Sequence, residues 1–244
     1  MSQLHVLGDH SNFVNGAADF IADAAARAQA ARGRFTLALS GGNTPQPIYA
    51  RLAAAEYRAR LDWSRVYIFF GDERCVPPDD AQSNYRMARQ ALLDQAPLPR
   101  ENIYRLRGED DPARAALQYE QTLQAFFRCA TPPAFDLILL GLGDNGHTAS
   151  LFPGTAALRE RERWVVSQYV EVMRAWRVTF TAPLINAARD VAFLIQGADK
   201  AQMVWNVLRG LYQPDVLPAQ LIQPMQGELH WLTDAAAAAK ITPP

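Results

Sequence analysis

One short apolar run that ends in a glycine-rich loop constrains the fold of this chain more than any other stretch. The run occupies residues 135–140, is too short for an ordinary helix and is followed directly by Gly141. Such a run is typical of a strand buried in a parallel sheet. The loop at residues 141–147 contains three glycines and places His147 just past the carboxyl end of that strand. Because ligands of open α/β sheets bind at this edge, the stretch predicts a candidate active site.

Similar short runs alternate with segments of helical periodicity along the chain. We predict further strands at residues 4–7, 35–39, 66–70, 102–106, 164–170, 176–181, 190–195 and 228–232. We predict helices at residues 12–32, 45–56, 84–93, 112–129, 183–188, 201–211 and 233–240. The alternation predicts a three-layer α/β fold. Without internal repeats or low-complexity linkers, the chain is expected to form a single domain over residues 1–244.

Composition argues against several classes of function. The chain carries 24 basic and 25 acidic residues, so no global charge attracts it to nucleic acid or to an anionic membrane. Its two cysteines, Cys75 and Cys129, have no metal-type spacing and form no disulfide framework, which is typical of a reducing compartment. No apolar stretch approaches membrane-spanning length, and the N-terminus lacks the apolar core of a signal peptide. We therefore expect a cytoplasmic protein without nucleic-acid or membrane partners.

The segment after the predicted strand at residues 35–39 is a candidate phosphate-binding loop. Its sequence, Ser-Gly-Gly-Asn-Thr-Pro at residues 40–45, leads into a predicted helix. Thr44 is the predicted N-cap, and Pro45 suits the first helical position. Free N–H groups of a first helical turn attract anions, and glycine lets a phosphate approach the backbone. The alternative is a simple turn between strand and helix, but the two glycines and two hydroxyl side chains favour phosphate.

Three charged residues, Asp72, Glu73 and Arg74, follow the predicted strand at residues 66–70. Taken alone, they favour a solvated loop. Three strands that all end in polar or glycine-rich loops favour instead a shared polar site at one edge of the sheet. The glycine pattern before His147 is not the usual dinucleotide-binding fingerprint, because that fingerprint lies in the first strand–helix unit of its domain.

Four segments, taken in order, resemble the 6-phosphogluconolactonase family, and the resemblance spans nearly the whole chain. They lie at residues 40–45, at residues 72–74 with 76–77 and 83–85, at residues 146–154, and at residues 177–179 with 197–200. The string Gly-His-Thr-Ala-Ser-Leu-Phe-Pro-Gly at residues 146–154 is the most specific of them. The Ser-Gly-Gly loop is less discriminating, since relatives such as the glucosamine-6-phosphate deaminases share it.

The resemblance implies a Rossmann-like α/β/α fold with a mostly parallel sheet, as in sugar-phosphate isomerases and deaminases. It implies hydrolysis of 6-phospho-D-glucono-1,5-lactone to 6-phosphogluconate, the second step of the oxidative pentose phosphate pathway. It implies neither a metal nor an organic cofactor. The expected partner is the small-molecule sugar-phosphate substrate, and we expect a monomer or a weak homo-oligomer.

The predicted phosphate anchor combines the glycine loop with two basic residues. An anchor far from the reacting carbon converts binding energy into orientation of the substrate. The loop residues assigned to this role are Ser40, Gly41, Gly42, Asn43 and Thr44. Arg177 and Lys200 are assigned to supply positive charge, because their segments match substrate-binding positions of the family.

His147 is the predicted general base, because an imidazole is the usual group that activates water near neutral pH. Arg74 is the first candidate for stabilising the oxyanion, with backbone N–H groups of the glycine loop as competitors. Glu73 is predicted to orient Arg74. The chain departs from the family pattern at Asn145, where the family commonly has Asp. We expect Asn145 to orient His147 less well than Asp does, unless Asp144 reaches in its place.

Three rival functions are compatible with parts of this sequence. An aminosugar-phosphate deaminase-isomerase has a similar fold and loops, but the continuation after His147 favours the lactonase branch. A catalytically silent phosphosugar sensor is a second alternative, although no helix-turn-helix segment or basic surplus is visible. Nucleotide binding is the third, and the misplaced glycine pattern weakens it.

Overall fold

The computed structural model describes residues 2–241 of the chain. Its strands are β1 (Ser2–Val6), β2 (Phe35–Leu39), β3 (Val66–Phe70), β4 (Asp72–Arg74), β5 (Leu137–Gly141), β6 (Val165–Val170), β7 (Ala175–Phe180), β8 (Asp190–Ile195) and β9 (Glu228–Thr233). Its α-helices are α1 (His10–Arg32), α2 (Pro45–Ala53), α3 (Ala55–Arg58), α4 (Asn84–Ala88), α5 (Pro112–Phe127), α6 (Ala182–Asn186), α7 (Ala201–Arg209) and α8 (Ala235–Ala238).

Six parallel strands form the main sheet in the order β1-β9-β8-β5-β2-β3. The predicted α/β class and the mostly parallel sheet are thereby confirmed. The chain passes from β2 to β3 on one side and from β5 to β8 on the other. The strand order therefore reverses between the neighbours β2 and β5, and the loops that leave them open a crevice where such folds bind ligands.

The central strands are apolar because both faces of the sheet are covered. Every residue of β2 is buried, and β5 and β8 each have a single residue that is not. Helix α1 buries Phe13, Ala17 and Ile21 and contacts β2, β9 and α2. Packing on both faces explains why these strands appear in the sequence as short apolar runs rather than alternating ones.

A second sheet of three antiparallel strands, in the order β4-β7-β6, was not predicted as a unit. The interpretation of Asp72, Glu73 and Arg74 as a solvated loop is wrong, because they form β4 and the two acidic side chains are buried. Strand β4 pairs with β7, and the register places Arg74 opposite Arg177. Gly71 joins the two sheets, since its N–H donates to the Leu39 carbonyl and its carbonyl accepts from the Phe180 N–H.

Most predicted helix signals are confirmed by capping geometry. The side chains of Ser83 and Asp111 accept backbone N–H groups at the starts of α4 and α5, and Gly33 ends α1 with φ +73°. Thr44 precedes α2 and Pro45 is its first residue, as predicted, but the φ and ψ of Thr44 are helical and its side chain makes no capping hydrogen bond. Helix α2 ends at Ala53 because Ala54 is extended.

Two further predictions need correction. The strand expected at residues 102–106 is absent from the described chain, where Arg100–Asn102 is a 3-10 turn and Ile103 forms one isolated bridge to Ile68. The helix predicted at 84–93 changes after α4 into a π-helical turn, Arg89–Leu93. Within residues 2–241 no helix has the length and apolar character needed to cross a membrane.

Candidate active site

A cavity of about 210 Å³ lies at the crevice between the loops that follow β2 and β5. The loop after β8 and the faces of β4 and β7 complete its walls. Nine of the predicted site residues line it: Ser40, Gly41, Gly42, Asn43, Thr44, Arg74, His147, Arg177 and Lys200. Glu73 and Asn145 do not line it. The structure thus brings together side chains that are widely separated in the sequence.

The loop at residues 40–44 presents unused backbone donors to this cavity. Among residues 2–241, no acceptor receives the N–H group of Gly41, Gly42, Asn43 or Thr44. Gly42 has φ +98°, a conformation that favours glycine. The loop is held from below by the buried Tyr49 hydroxyl, which donates to the Ser40 carbonyl at 2.9 Å and accepts from the Ser40 N–H at 3.0 Å. Free N–H groups ahead of a helix form an anion-binding concavity.

Gly41 has no room for a side chain. A Cβ atom there would lie 1.8 Å from Oδ1 of Asn84. The Asn84 amide is itself fixed, because its Nδ2 donates to the carbonyl and to the carboxylate of Asp72 at 3.0 and 3.1 Å. The other carboxylate oxygen of Asp72 accepts from the Ser150 hydroxyl at 2.7 Å. This network fixes the distance between the glycine loop and β4.

Two arginines face the cavity without a carboxylate partner. Arg74 and Arg177 are opposite each other in the β4–β7 register, and no ion pair to either occurs in the described part of the chain. Burial, followed by the charge of Arg74, lowers the pKa of Arg177. The Nε atoms of both guanidinium groups are buried and have no partner. An anionic ligand between them would satisfy donors that the protein leaves unsatisfied.

Lys200 contributes a third positive charge beside the arginine pair. Its Nζ contacts the carboxylate of Asp144, which is 86% exposed. This ion pair connects the loop after β5 with the loop after β8. Because Asp144 is open to solvent, the pair is easily exchanged for an anionic ligand.

Glu73 lies outside the cavity, on the face of β4 opposite Asp72 and Arg74. Its carboxylate accepts the backbone N–H groups of Arg74, Asn84 and Tyr85 at 2.7–2.8 Å and the Ser83 hydroxyl at 3.1 Å. It does not contact the guanidinium of Arg74, so it fixes the backbone of β4 to the start of α4 instead. Burial raises the pKa of Glu73.

The imidazole of His147 is held on three sides. It stacks on Phe152 with ring centroids 4.1 Å apart, and the absent side chain of Gly143 makes room for it, because a Cβ there would lie 2.0 Å from the ring. Asn145 Oδ1 lies 2.6 Å from Nδ1 and also accepts the His147 backbone N–H at 3.2 Å. Since that atom accepts the backbone N–H, it is the amide oxygen, and Nδ1 is the ring donor. The Nε2 atom is left with a free lone pair.

Electrostatics keep this ring neutral. Burial lowers the pKa of His147 to about 4, with smaller lowering effects from Arg177 and Lys200 and opposing effects from Asp72 and Asp144. Asn145 supplies an acceptor without a charge and therefore does not raise the pKa as a carboxylate would. The arrangement can accept a proton at Nε2 next to three cationic side chains that attract an anionic substrate.

The sequence profile described as "Glucosamine-6-phosphate isomerases/6-phosphogluconolactonase" matches residues 8–231 of the chain. The chain belongs to this family. A protein from Nostoc sp. named 6-phosphogluconolactonase is 43% identical over 242 residues, which cover 98% of each chain. A protein of the same name from Synechocystis sp. is 47% identical over 220 residues and 89% of each chain. The resemblance predicted from four segments is thereby confirmed.

A solved relative supports the same grouping by its fold. The 6-phosphogluconolactonase of Trypanosoma brucei is 27% identical to this chain and superposes with a TM-score of 0.82 over 99% of each chain. The similarity therefore includes both the parallel sheet and the small antiparallel sheet that carries Arg74 and Arg177.

Sequence reasoning missed several cavity residues. Asp72, Asn84 and Phe152 line the cavity and lie within segments that carry the family resemblance. The resemblance therefore pointed to these residues without indicating a role for them. Met173 and Gln196 also line the cavity, and nothing in the sequence distinguished them. Met173 lies at the tip of the β6–β7 hairpin, where it is half exposed at the cavity wall.

Proposed function

We propose that the protein hydrolyses 6-phospho-D-glucono-1,5-lactone to 6-phosphogluconate, the second step of the oxidative pentose phosphate pathway. The observation that carries the proposal is the free Nε2 of a neutral His147 in the same cavity as two arginines that have no carboxylate partner. The substrate class follows from the relatives of the chain, which bear the name of this activity.

The phosphate binds at the loop of residues 40–44, opposite the arginine pair. The unused N–H groups of the loop donate to its oxygens, and the Thr44 hydroxyl, which makes no capping bond to α2, is available as a further donor. Arg177 and Lys200 supply positive charge. On binding, Lys200 exchanges its contact with Asp144 for the substrate. Binding at this distance from the lactone carbon orients the ester for attack.

The chemical step uses His147 as general base. Its Nε2 takes a proton from a water molecule, and the resulting hydroxide attacks the lactone carbonyl carbon. The guanidinium of Arg74 stabilises the tetrahedral oxyanion. When the intermediate collapses, the bond between the carbonyl carbon and the ring oxygen breaks, and the imidazolium returns its proton to that oxygen. The product is the open-chain acid, which ionises to a carboxylate.

Asn145 positions the base without charging it. Its amide oxygen accepts from Nδ1–H and so keeps the lone pair on Nε2, which points the basic nitrogen away from the loop. Asp144 does not replace it, because the Asp144 carboxylate contacts Lys200 instead. An Asp at this position would both orient the imidazole and raise its pKa. Asn145 orients the imidazole without raising its pKa.

The test compares wild type with His147→Ala on freshly generated lactone, coupled to 6-phosphogluconate dehydrogenase and corrected for spontaneous hydrolysis. We expect rapid wild-type turnover and a kcat lower by about 10²–10⁴-fold in the variant. Binding of 6-phosphogluconate, measured by calorimetry, should persist in His147→Ala and so show that the cavity is intact. If wild type matches the buffer rate, the lactonase assignment is wrong, and release of ammonia from glucosamine 6-phosphate becomes the next assay.

A further inference from the structure

A cluster of metal-ligating side chains lies at the amino ends of β8 and β9, the end of the sheet opposite the cavity. Asp190 and Glu228 begin these neighbouring strands and are register partners. His230 lies two residues beyond Glu228, on the same face of β9. Gly227 allows this close approach, since a Cβ there would lie 2.2 Å from the Ala188 carbonyl oxygen. The backbone of the sheet therefore brings one imidazole and two carboxylates together.

The distances within the cluster suit a shared ion as well as the hydrogen bond between His230 Nε2 and Asp190 Oδ1. His230 Nε2 lies 3.2 Å from Asp190 Oδ1 and 3.6 Å from Glu228 Oε2. A tetrahedral zinc ion with ligands at about 2.0–2.1 Å separates those ligands from one another by about 3.3 Å. The three donor atoms all lie within 4.8 Å of one another.

The imidazole of His230 is oriented by contacts on its other side. Its Nδ1 lies 3.2 Å from Nε2 of His5 on β1, and Phe20 packs edge-on against the ring at 4.8 Å between centroids. His230 is buried, with 5% of its side chain exposed. Metal-ligating histidines commonly use the second ring nitrogen for such a hydrogen bond, which fixes the tautomer that leaves Nε2 as the ligand.

The two carboxylates remain accessible from solvent, with 21% of the Asp190 side chain and 55% of the Glu228 side chain exposed. Competing groups are weakly placed. The Arg27 guanidinium is 3.7 Å from the other oxygen of Asp190 and is mostly exposed, and the neutral Gln3 amide donates to Glu228 at 3.0 Å. The cluster therefore keeps a net negative charge that favours a cation.

We propose that Asp190, Glu228 and His230 bind one divalent transition-metal ion of the zinc class, with water in the remaining position. An imidazole with two carboxylates suits zinc, whereas magnesium and calcium prefer oxygen ligands alone. The ion joins the first residues of β8 and β9 at the end of the sheet away from His147, so its binding should stabilise the pairing of these two strands. It does not depend on the proposed lactonase activity.

The experiment titrates zinc into tag-free protein that has been dialysed against a chelator, with calorimetry as the readout. We expect one equivalent to bind, and cobalt to give the intense visible absorption of a four-coordinate site. Glu228→Gln and Asp190→Asn should each weaken zinc binding by at least about tenfold, and His5→Gln by about 10–100-fold. Glu162→Gln, which removes an exposed carboxylate outside the cluster, is the matched control and should bind as wild type does.

Thermal unfolding supplies a second readout, which is the change in Tm when zinc is added. Zinc should raise the Tm of wild type and of Glu162→Gln but not that of Glu228→Gln. Three results would overturn the proposal: no saturable binding to wild type, unchanged affinity in both carboxylate variants, or loss of the bound equivalent in His147→Ala, which would place the ion in the cavity. Because Glu228 is half exposed, its variant tests the site even if a His230 variant does not fold.

Discussion

Asp136, at the amino end of the parallel sheet, and the arginine pair at the carboxyl end differ in whether the protein supplies their hydrogen-bond partners. At the amino end, the buried Asp136 carboxylate accepts from Arg32 at 2.7 Å and from both the N–H and the hydroxyl of Thr36. At the carboxyl end, Arg74 and Arg177 lie side by side, each with a buried Nε that has no partner. The Asp136 carboxylate is satisfied by the protein, whereas the Nε atoms of the two arginines are left for a ligand. Unsatisfied donors therefore distinguish the end of the sheet that carries the cavity.

Replacing an arginine at the carboxyl end should cost activity and not stability. We expect Arg74→Met to lower kcat by about 10²–10³-fold, the usual effect of losing an oxyanion donor. The Tm should stay level or rise, because the charge of Arg74 opposes that of Arg177. Steady-state kinetics and thermal unfolding of the same preparation measure both effects. A large fall in Tm with unchanged kcat would give Arg74 a structural role instead.

The opposite result is expected at the amino end. Asp136→Ala removes a carboxylate that satisfies Arg32 and Thr36, and should lower the free energy of unfolding by about 3 kcal/mol. The kcat/KM of the folded fraction should be unchanged, since Asp136 does not line the active-site cavity. Urea unfolding measures the change in the free energy of unfolding. Steady-state kinetics at urea concentrations below the unfolding transition measure kcat/KM. If kcat/KM falls as far as it does in Arg74→Met, the two ends of the sheet are not independent.

Two glycines refine the comparison on a smaller scale. Gly41→Ala places a methyl group against Asn84, so we expect kcat/KM to fall by roughly tenfold as the loop moves away from β4. Gly33, at the end of α1, has φ +73°, and a Cβ added there would meet no atom within 4 Å. Gly33→Ala should therefore cost only about 1 kcal/mol of stability and leave the kinetics intact. Equal kinetic losses in both variants would show that loop position does not control the active site.

The sequence predicted the strands at residues 35–39, 66–70 and 190–195 with the bounds that the structure has. Strands covered on both faces are continuous apolar runs, and that signal is local. Strand β4 gave no such signal. It has three residues, all charged, and its two acidic residues are buried by distant parts of the chain: β7 pairs with it about a hundred residues later, and the start of α4 covers Glu73. A structure is needed wherever burial comes from a distant partner.

The site shows the same division between local and distant information. The glycine loop and His147 could be found from their place after apolar strands, together with the family resemblance. The role of Glu73 could not, because alternation along β4 decides which of its side chains face the cavity. Nor could the contacts of Asp72 be found, since its partners Asn84 and Ser150 are brought to it only by folding.

The smallest expected effect concerns the charge next to His147, the proposed general base. In wild type the pKa of His147 lies at about 4, so kcat/KM should fall only as the pH drops toward that value. Between about pH 4 and 6.5 the unfolded chain binds a proton at this residue that the folded chain does not, so stability should rise with pH across that window.

Asn145→Asp places a carboxylate against the ring Nδ1–H and should raise the His147 pKa. The acidic limb of the kcat/KM profile should then move to higher pH, and activity near neutral pH should stay level or rise because the base is stronger. Asp144→Asn is the matched control, since it removes a neighbouring carboxylate that contacts Lys200 and only weakly raises the His147 pKa, so the acidic limb should stay in place or move slightly to lower pH, opposite to the shift in Asn145→Asp. A large loss of kcat/KM at neutral pH in Asn145→Asp would mean that the neutral amide is itself required. The separation of positioning from basicity would then be a functional property of this active site.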